Sequence, residues 1–319
     1  MEKEIHKKNI DFIESFLMKK DFSWIDYGKS IKIRYFSKGG GTYIYLIKNN
    51  NRKYLARINF YSLKNKWKTK RQEYKILRLI ENLKIAPKIY LLNEKNSLGQ
   101  DFVIVDYVKG REIKDFKKED VAGLASILRT LHQFNIIYDK KEELPYKCEI
   151  YDEFANGEDK KIEKYKNFKD LKKVIPIYNK LKSDLGGWFN SLDIFKGYEN
   201  LCLCHADLKR ENILRHKSEI KLIDWECAGM DIPESDIGRL FSGCRFSKTQ
   251  EEFFLDKYFN GAVKDIERLR INAIKIVLDF FLIIEDYCIH KRKKWPATNM
   301  IKELSRYGDN LKKIKEEIG

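Results

Sequence analysis

The sequence predicts an α+β chain with its sheet first and its helices later, and three observations carry that expectation. Short apolar, strand-like runs broken by glycines occupy the first third of the 319 residues. Longer stretches rich in Ala, Leu and Ile follow, Leu124–His132 and Ile271–Ile289 among them. Between these lie a short apolar run at Leu201–Cys204, a loop, and two runs over 213–223 that read as a hairpin, bearing Asp207, Asn212 and Asp224.

Taken in order, Met1–His6 is charged and lacks the apolar stretch of a signal peptide, so a cytoplasmic protein is expected. Ile31–Phe36 and Tyr43–Ile47 flank Gly39, Gly40, Gly41 and Thr42 in a strand, glycine turn, strand arrangement. Glycines let backbone N–H groups approach phosphate oxygens closely, and they serve an ordinary hairpin turn equally well. Tyr54–Ile58 is the next strand and carries Arg57, whose planar, permanently charged guanidinium suits phosphate oxygens. In Arg71–Ile80 the apolar Ile76, Leu77, Leu79 and Ile80 favour a helix packed on this small sheet. That helix holds Glu73, the first acidic residue after Asp26, which either faces Arg57 or pairs along the surface with Lys75 or Arg78. Phe102–Val105 is the last strand of the first part.

Leu201–Cys204 suits a buried strand that delivers Asp207 onto a loop. Asn212 stands five positions after Asp207, and the hairpin, turning at Arg215–Ser218, returns Asp224 toward the same place. Asp and Asn also favour turns for their own sake. With Asp224 added, however, the set comprises one carboxylate to accept a hydroxyl proton, with a carboxamide and a second carboxylate to hold Mg²⁺. Phosphoryl transfer requires those groups, because its catalysis is mostly positioning and charge neutralisation. Ile271–Ile289 contains Lys275, Asp279, Glu285 and Asp286, so it predicts a buried helix and not a membrane span. The six Cys show no Cys-x-x-Cys; a metal site using Cys202, Cys204, His205 and His216 is conceivable, and buried thiols are the simpler expectation. His132 reads as structural, and Tyr151, Trp188, Tyr258 and Tyr287 read as core aromatics in preference to a cation-binding box.

His205-x-Asp207 with Asn212, followed by Ile223-Asp224-Trp225-Glu226, resembles the choline kinase and aminoglycoside phosphotransferase superfamily, whose fold is similar to that of protein kinases. The resemblance runs from about Lys29 to about Phe241. It implies a bilobal protein-kinase-like fold: an N-terminal nucleotide lobe over 1–105 with a small antiparallel sheet and one packed helix. A larger, mainly helical catalytic and acceptor lobe then covers 106–319, with a helical insertion at about 136–200. It further implies Asp207 and Lys209 as the catalytic pair and Asn212 and Asp224 as Mg²⁺ ligands. Gly39, Gly40, Gly41, Thr42, the Arg57–Glu73 ion pair and the hinge residues Asp106, Tyr107 and Val108 would bind ATP or GTP, and Glu226 would face the acceptor. Two departures point away from protein kinases: Glu226 replaces the glycine of Asp-Phe-Gly, and only eleven residues separate Asp224 from Asp236, too few for an activation segment.

Charge complicates the choice of acceptor. Residues 1–105 hold 23 basic and 10 acidic residues against 41 and 38 in the rest. Such a field attracts polyanions, so Lys64–Arg71 is either a solvated surface, which we favour, or a docking site for RNA. The expected function is phosphorylation of a small-molecule hydroxyl, on an amino alcohol such as choline or ethanolamine or on an aminoglycoside or sugar. A kinase of RNA or protein and a nucleotide-binding module with little turnover are the alternatives.

Overall fold

In a computed structural model the described residues are 2–39, 41–59, 70–94, 96–136, 171–195, 201–289 and 297–318. Gly40, the 64–69 part of the basic stretch, Tyr151, most of the insertion, and the side chains of Glu285, Asp286 and Tyr287 lie outside them. The chain divides into two compact units, Met1–Gly123 with Arg210–Ala228, and Leu124–Lys209 with Gly229–Gly319.

The first unit is built on β1 (Ile31–Lys38), β2 (Thr42–Asn49), β3 (Arg52–Asn59), β4 (Ile89–Asn93) and β5 (Phe102–Asp106). They form an antiparallel sheet in the order β1-β2-β3-β5-β4. The alternation of the strands puts Tyr54, Ala56 and Ile58 in one apolar layer with Tyr45, Ile47, Phe102 and Ile104, and turns Arg57 to the other face. Helix α1 (Glu2–Met18) covers the apolar layer through Ile13 and Leu17, both fully buried. Burying each such side chain contributes about 1.5–3 kcal/mol. This helix adds to the single packed helix expected. Its signal is the four-residue spacing of Asn9, Ile13 and Leu17 among charged neighbours, with Asn9 donating to the Tyr45 hydroxyl at 2.8 Å. Helix α2 (Lys70–Leu79) buries Glu73, Ile76 and Leu77.

A second, three-stranded sheet joins β6 (Arg111–Glu112), β8 (Ile213–His216) and β9 (Glu219–Leu222). The hairpin turn is tighter than expected, because β8 runs on through His216, which pairs with Glu219 and leaves Lys217 and Ser218 to turn. Arg215 locks the hairpin to Asp120 through two bonds of 2.6 and 2.7 Å.

Helix α3 (Lys118–His132) leads into the second unit. There β7 (Cys202–Cys204) pairs antiparallel with β10 (Gly229–Asp231), beside α4 (Leu171–Ser191), α5 (Pro233–Cys244), α6 (Lys248–Phe259), α7 (Asp265–Ile289) and α8 (Ala297–Ile318). Tyr178 of α4 stacks on Phe280 of α7 at 5.0 Å, and Met300 and Leu304 of α8 complete that core. Trp188 belongs to the same core, and Tyr258 stacks on Phe254. Helix α7 is the predicted buried helix, with Lys275 held between Asp279 and Glu251. Among the described residues no helix is long and apolar enough to cross a membrane.

Candidate active site

Four charged side chains converge around Arg57 in the first unit. The guanidinium donates to Glu73 of α2 and to Asp224 beyond β9. Lys70 Nζ lies 2.9 Å from Glu73 Oε2 and 3.4 Å from Glu226 Oε2. Burial alone would lower the Arg57 pKa, but the charges of Glu73, Asp224 and Glu226 outweigh it and raise the value above the ordinary arginine range. Glu73 therefore faces Arg57 and not Lys75 or Arg78. Within the basic stretch, Lys70 is buried between carboxylates and Arg71 is engaged bidentately by Glu94 at 2.8 and 2.7 Å, so neither is a bare surface cation.

The hairpin sets the two expected metal ligands at one end. Ile213 pairs with Leu222, and Ile223 N–H donates to the Asn212 carbonyl at 2.9 Å, so Asn212 and Asp224 flank the last rung. Asn212 is 4% exposed. Asp224 takes a left-handed conformation at φ 67°, and Trp225, fully buried, donates its indole N–H to the Leu222 carbonyl at 2.8 Å. These anchors hold a non-glycine residue in a costly backbone region.

The remaining first-unit residues sit at strand ends. Gly39 N–H donates to the Thr42 carbonyl at 2.9 Å, closing the turn between β1 and β2, while Gly41 follows Gly40, which lies outside the described residues. Thr42 is buried and its hydroxyl meets the Asn59 side chain at 3.3 Å. At the expected hinge, the N–H groups of Asp106 and Tyr107 already serve the carbonyls of Lys88 and Lys53 at 2.8 and 3.1 Å. Of the three expected hinge donors, Val108 N–H is the one without a backbone acceptor among the described residues.

Asp207 and Lys209 belong to the second unit, and Lys209 Nζ lies 2.8 Å from Asp207 Oδ2. The loop before them is held by Asp236, in the first turn of α5. Its Oδ2 accepts the N–H of His205 at 2.7 Å and its Oδ1 that of Ala206 at 2.8 Å. His132 Nε2 lies 3.2 Å from the same Oδ2. Burial pushes the Asp236 pKa up, yet the His132 hydrogen bond, the His132 and His205 rings and the His205 N–H bring it net below the ordinary carboxylate value. Ala206 is left-handed at φ 60°, so this carboxylate supports a strained residue next to Asp207. Close packing matters too, since a Cβ on Gly243 would overlap the Leu208 carbonyl oxygen.

Lys70 and Asp236 escape a motif reading. Lys70 looks like one more residue of a basic run, and only the helical spacing Lys70–Glu73 signals an i,i+3 pair. Asp236 follows a Pro at the start of a helix, where acidic residues are common for capping reasons alone.

Lys70→Met keeps the packing volume but leaves Glu73 without its second cation. It should raise the nucleotide KM roughly tenfold, with a loss of about 3 kcal/mol of stability, as for a broken buried pair. Steady-state kinetics and a denaturant melt check both, and unchanged values in the two would show Lys70 to be a bystander. Gly243→Ala must displace the Leu208–Lys209 backbone; overpacking of that kind costs about 1–3 kcal/mol and should appear mainly in kcat. Parental kcat in the Gly243→Ala variant would mean the loop position is not critical.

Known proteins resemble this chain in part of the sequence and in fold. A stretch of 61 residues is 37% identical to Protein LicA of Haemophilus influenzae, spanning 19% of this chain and 23% of that protein. The whole fold is similar to choline kinase LicA from Streptococcus pneumoniae, with a TM-score of 0.60 and 19% identity over 95% of this chain and 98% of that one. It is equally similar to the ADP-bound aminoglycoside phosphotransferase APH(2'')-Ib, with a TM-score of 0.60 and 17% identity over 92% and 95%. Both likenesses identify the kinase-like α+β fold expected from the sequence. The family model described as "Phosphotransferase enzyme family" matches residues 32–271, from β1 into α7, taking in Arg57, Glu73, Asp207, Asn212 and Asp224. The chain that carries this arrangement therefore belongs to the phosphotransferase enzyme family.

Proposed function

We propose that the protein transfers the terminal phosphoryl group of ATP or GTP to the hydroxyl of a small amino alcohol such as choline or ethanolamine, with an aminoglycoside or sugar-like acceptor as the second choice. The observation that carries the reading is the buried Arg57–Glu73 pair beside Asp224. It presents a charged, oriented fork, and orienting donors toward phosphate charge is the largest protein contribution to this chemistry. The local identity to Protein LicA of Haemophilus influenzae and the likeness to choline kinase LicA from Streptococcus pneumoniae support an amino alcohol first.

In this reading the turn at Gly39–Thr42 receives phosphate, Arg57 grips its oxygens, and Val108 N–H takes the adenine edge. Asn212 and Asp224 offer the carboxamide and carboxylate oxygens that suit a hard divalent ion. Mg²⁺ held by them would neutralise charge on the transferring group. Asp207 accepts the acceptor hydroxyl's proton as its oxygen attacks, with Lys209 fixing the carboxylate through Oδ2. Glu226, braced by Lys70, places negative charge near a cationic acceptor.

The test is a panel of choline, ethanolamine, an aminoglycoside, a nucleoside and total RNA, each with excess Mg²⁺ and ATP or GTP. Saturable transfer to choline or ethanolamine is expected. Transfer confined to RNA, falling steeply with salt, would favour the basic surface as a polyanion site; nucleotide binding without transfer to any acceptor would contradict the enzyme reading.

A further inference from the structure

Cys202 and Cys204 stand two positions apart on β7, so their side chains leave the same face of the strand. Their sulfurs are 3.6 Å apart, and His132 Nε2 lies 4.0 Å from Cys204 Sγ. All three ligand atoms fall within 4.8 Å of one another. Tetrahedral zinc, with metal–sulfur and metal–nitrogen bonds of about 2.3 and 2.0–2.1 Å, sets ligand separations of roughly 3.5–3.8 Å. The two sulfurs already have that spacing, and the imidazole needs only a small approach.

The surroundings fit a ligand set as well. Tyr258 Oη meets His132 Nδ1 at 2.7 Å, the kind of outer partner that fixes the tautomer and orientation of a ligating imidazole. Burial first, and then the fully buried Asp231 and Asp236, hold the free Cys204 thiol above the ordinary thiol range, while the same negative charge favours a cation at this place. His132, Cys202 and Met230 also line a cavity of about 330 Å³, which provides a way in and room for a fourth ligand. The histidine that completes the set comes from α3, 72 positions from Cys204; neither His205 nor His216, the neighbours in sequence, does so.

We propose that His132, Cys202 and Cys204 form a binding site for a thiophilic divalent ion of the Zn²⁺ class, and that filling it slows phosphotransfer. Binding releases the two thiol protons to solvent as two metal–sulfur bonds form; the imidazole proton that bonds Asp236 moves from Nε2 to Nδ1, which then donates to Tyr258 Oη, and the freed Nε2 lone pair binds the ion, with no electron transferred. Two thiolates and one dication are together neutral, which suits a buried site. An Nε2 bound to metal no longer bonds Asp236, the carboxylate that holds His205 and Ala206. This coupling to activity rests on the catalytic loop assigned under Proposed function, whereas the site itself does not.

The test adds Co²⁺ to the full chain as a spectroscopic stand-in, then displaces it with Zn²⁺. One equivalent should give a thiolate-to-cobalt charge-transfer band, and both Cys202→Ser and Cys202→Ala should lose it, with Zn²⁺ affinity falling by roughly a hundredfold. Zn²⁺ should lower turnover of the parent chain reversibly by chelation, and leave that of the Cys202 variants, whose basal turnover is unchanged, largely unaffected. Absence of the band in the parent, or a band of equal strength in both variants, would overturn the site. A band with unaltered turnover would overturn the coupling alone, and because the spectrum needs no acceptor it decides the site even if no phosphotransfer is found.

Discussion

Asp207→Asn should lower kcat by about a hundredfold or more while nucleotide affinity stays near that of the parent, the scale of a positioned acid–base group. The amide keeps the shape of the carboxylate but cannot accept the hydroxyl proton, and it loses the charge that Lys209 pairs with at 2.8 Å. The nucleotide side of the reaction is assigned to first-unit residues, whereas Asp207 lies in the second, so the expected split is a large kcat effect with little change in nucleotide KM. Initial rates at saturating acceptor, with nucleotide affinity measured by calorimetry, separate the two. Near-parental kcat would remove Asp207 from the chemistry.

Asp236→Ala should be the most damaging substitution outside the reacting groups. It strands the N–H groups of His205 and Ala206, now bonded at 2.7 and 2.8 Å, and deprives His132 of a partner at 3.2 Å. Each buried group left unsatisfied costs about 1–3 kcal/mol, and Ala206 at φ 60° then lacks the bond that supports its left-handed backbone. The loop that ends in Asp207 should relax, lowering stability by several kcal/mol and kcat by more than the stability loss explains. Asp236→Asn, whose side chain keeps one accepting oxygen, should fall between parent and Ala. Equal effects of Asn and Ala on kcat at a temperature where both variants are folded would show that the twin N–H acceptance is not what positions the loop.

The parts of the fold that were legible in the sequence are those whose signal is local. Tyr43–Ile47, Tyr54–Ile58 and Phe102–Val105 read as strands because apolar and β-branched residues cluster between turn formers, and Ile76 and Leu77 marked the buried side of α2. The loop from Cys204 to Asn212 was legible because the apolar run Leu201–Cys204 ends there and polar, turn-forming residues follow. Helix α1 and β4 were harder to see: α1 buries only Asn9, Ile13 and Leu17 among 17 residues, and β4 is a short run whose middle is half exposed. What could not be read were partners distant in the chain. Asp120 meets Arg215, Lys70 meets Glu226, and His132 meets both Asp236 and the Cys204 thiol, each pairing made by topology across many residues. The hinge illustrates the same point, since which N–H remains for a ligand depends on β-sheet neighbours at Lys53 and Lys88.

Movement of a phosphoryl group from a nucleoside triphosphate to a small alcohol is the activity on which the proposed catalytic roles depend. Phosphorus NMR of a reaction with ATP, Mg²⁺ and choline or ethanolamine tests it most directly. The γ-phosphate resonance should disappear, matched one for one by ADP and a phosphate monoester on the acceptor, with no such product from Asp207→Asn over the same time. ADP accompanied only by inorganic phosphate, with the small acceptor untouched, would contradict it.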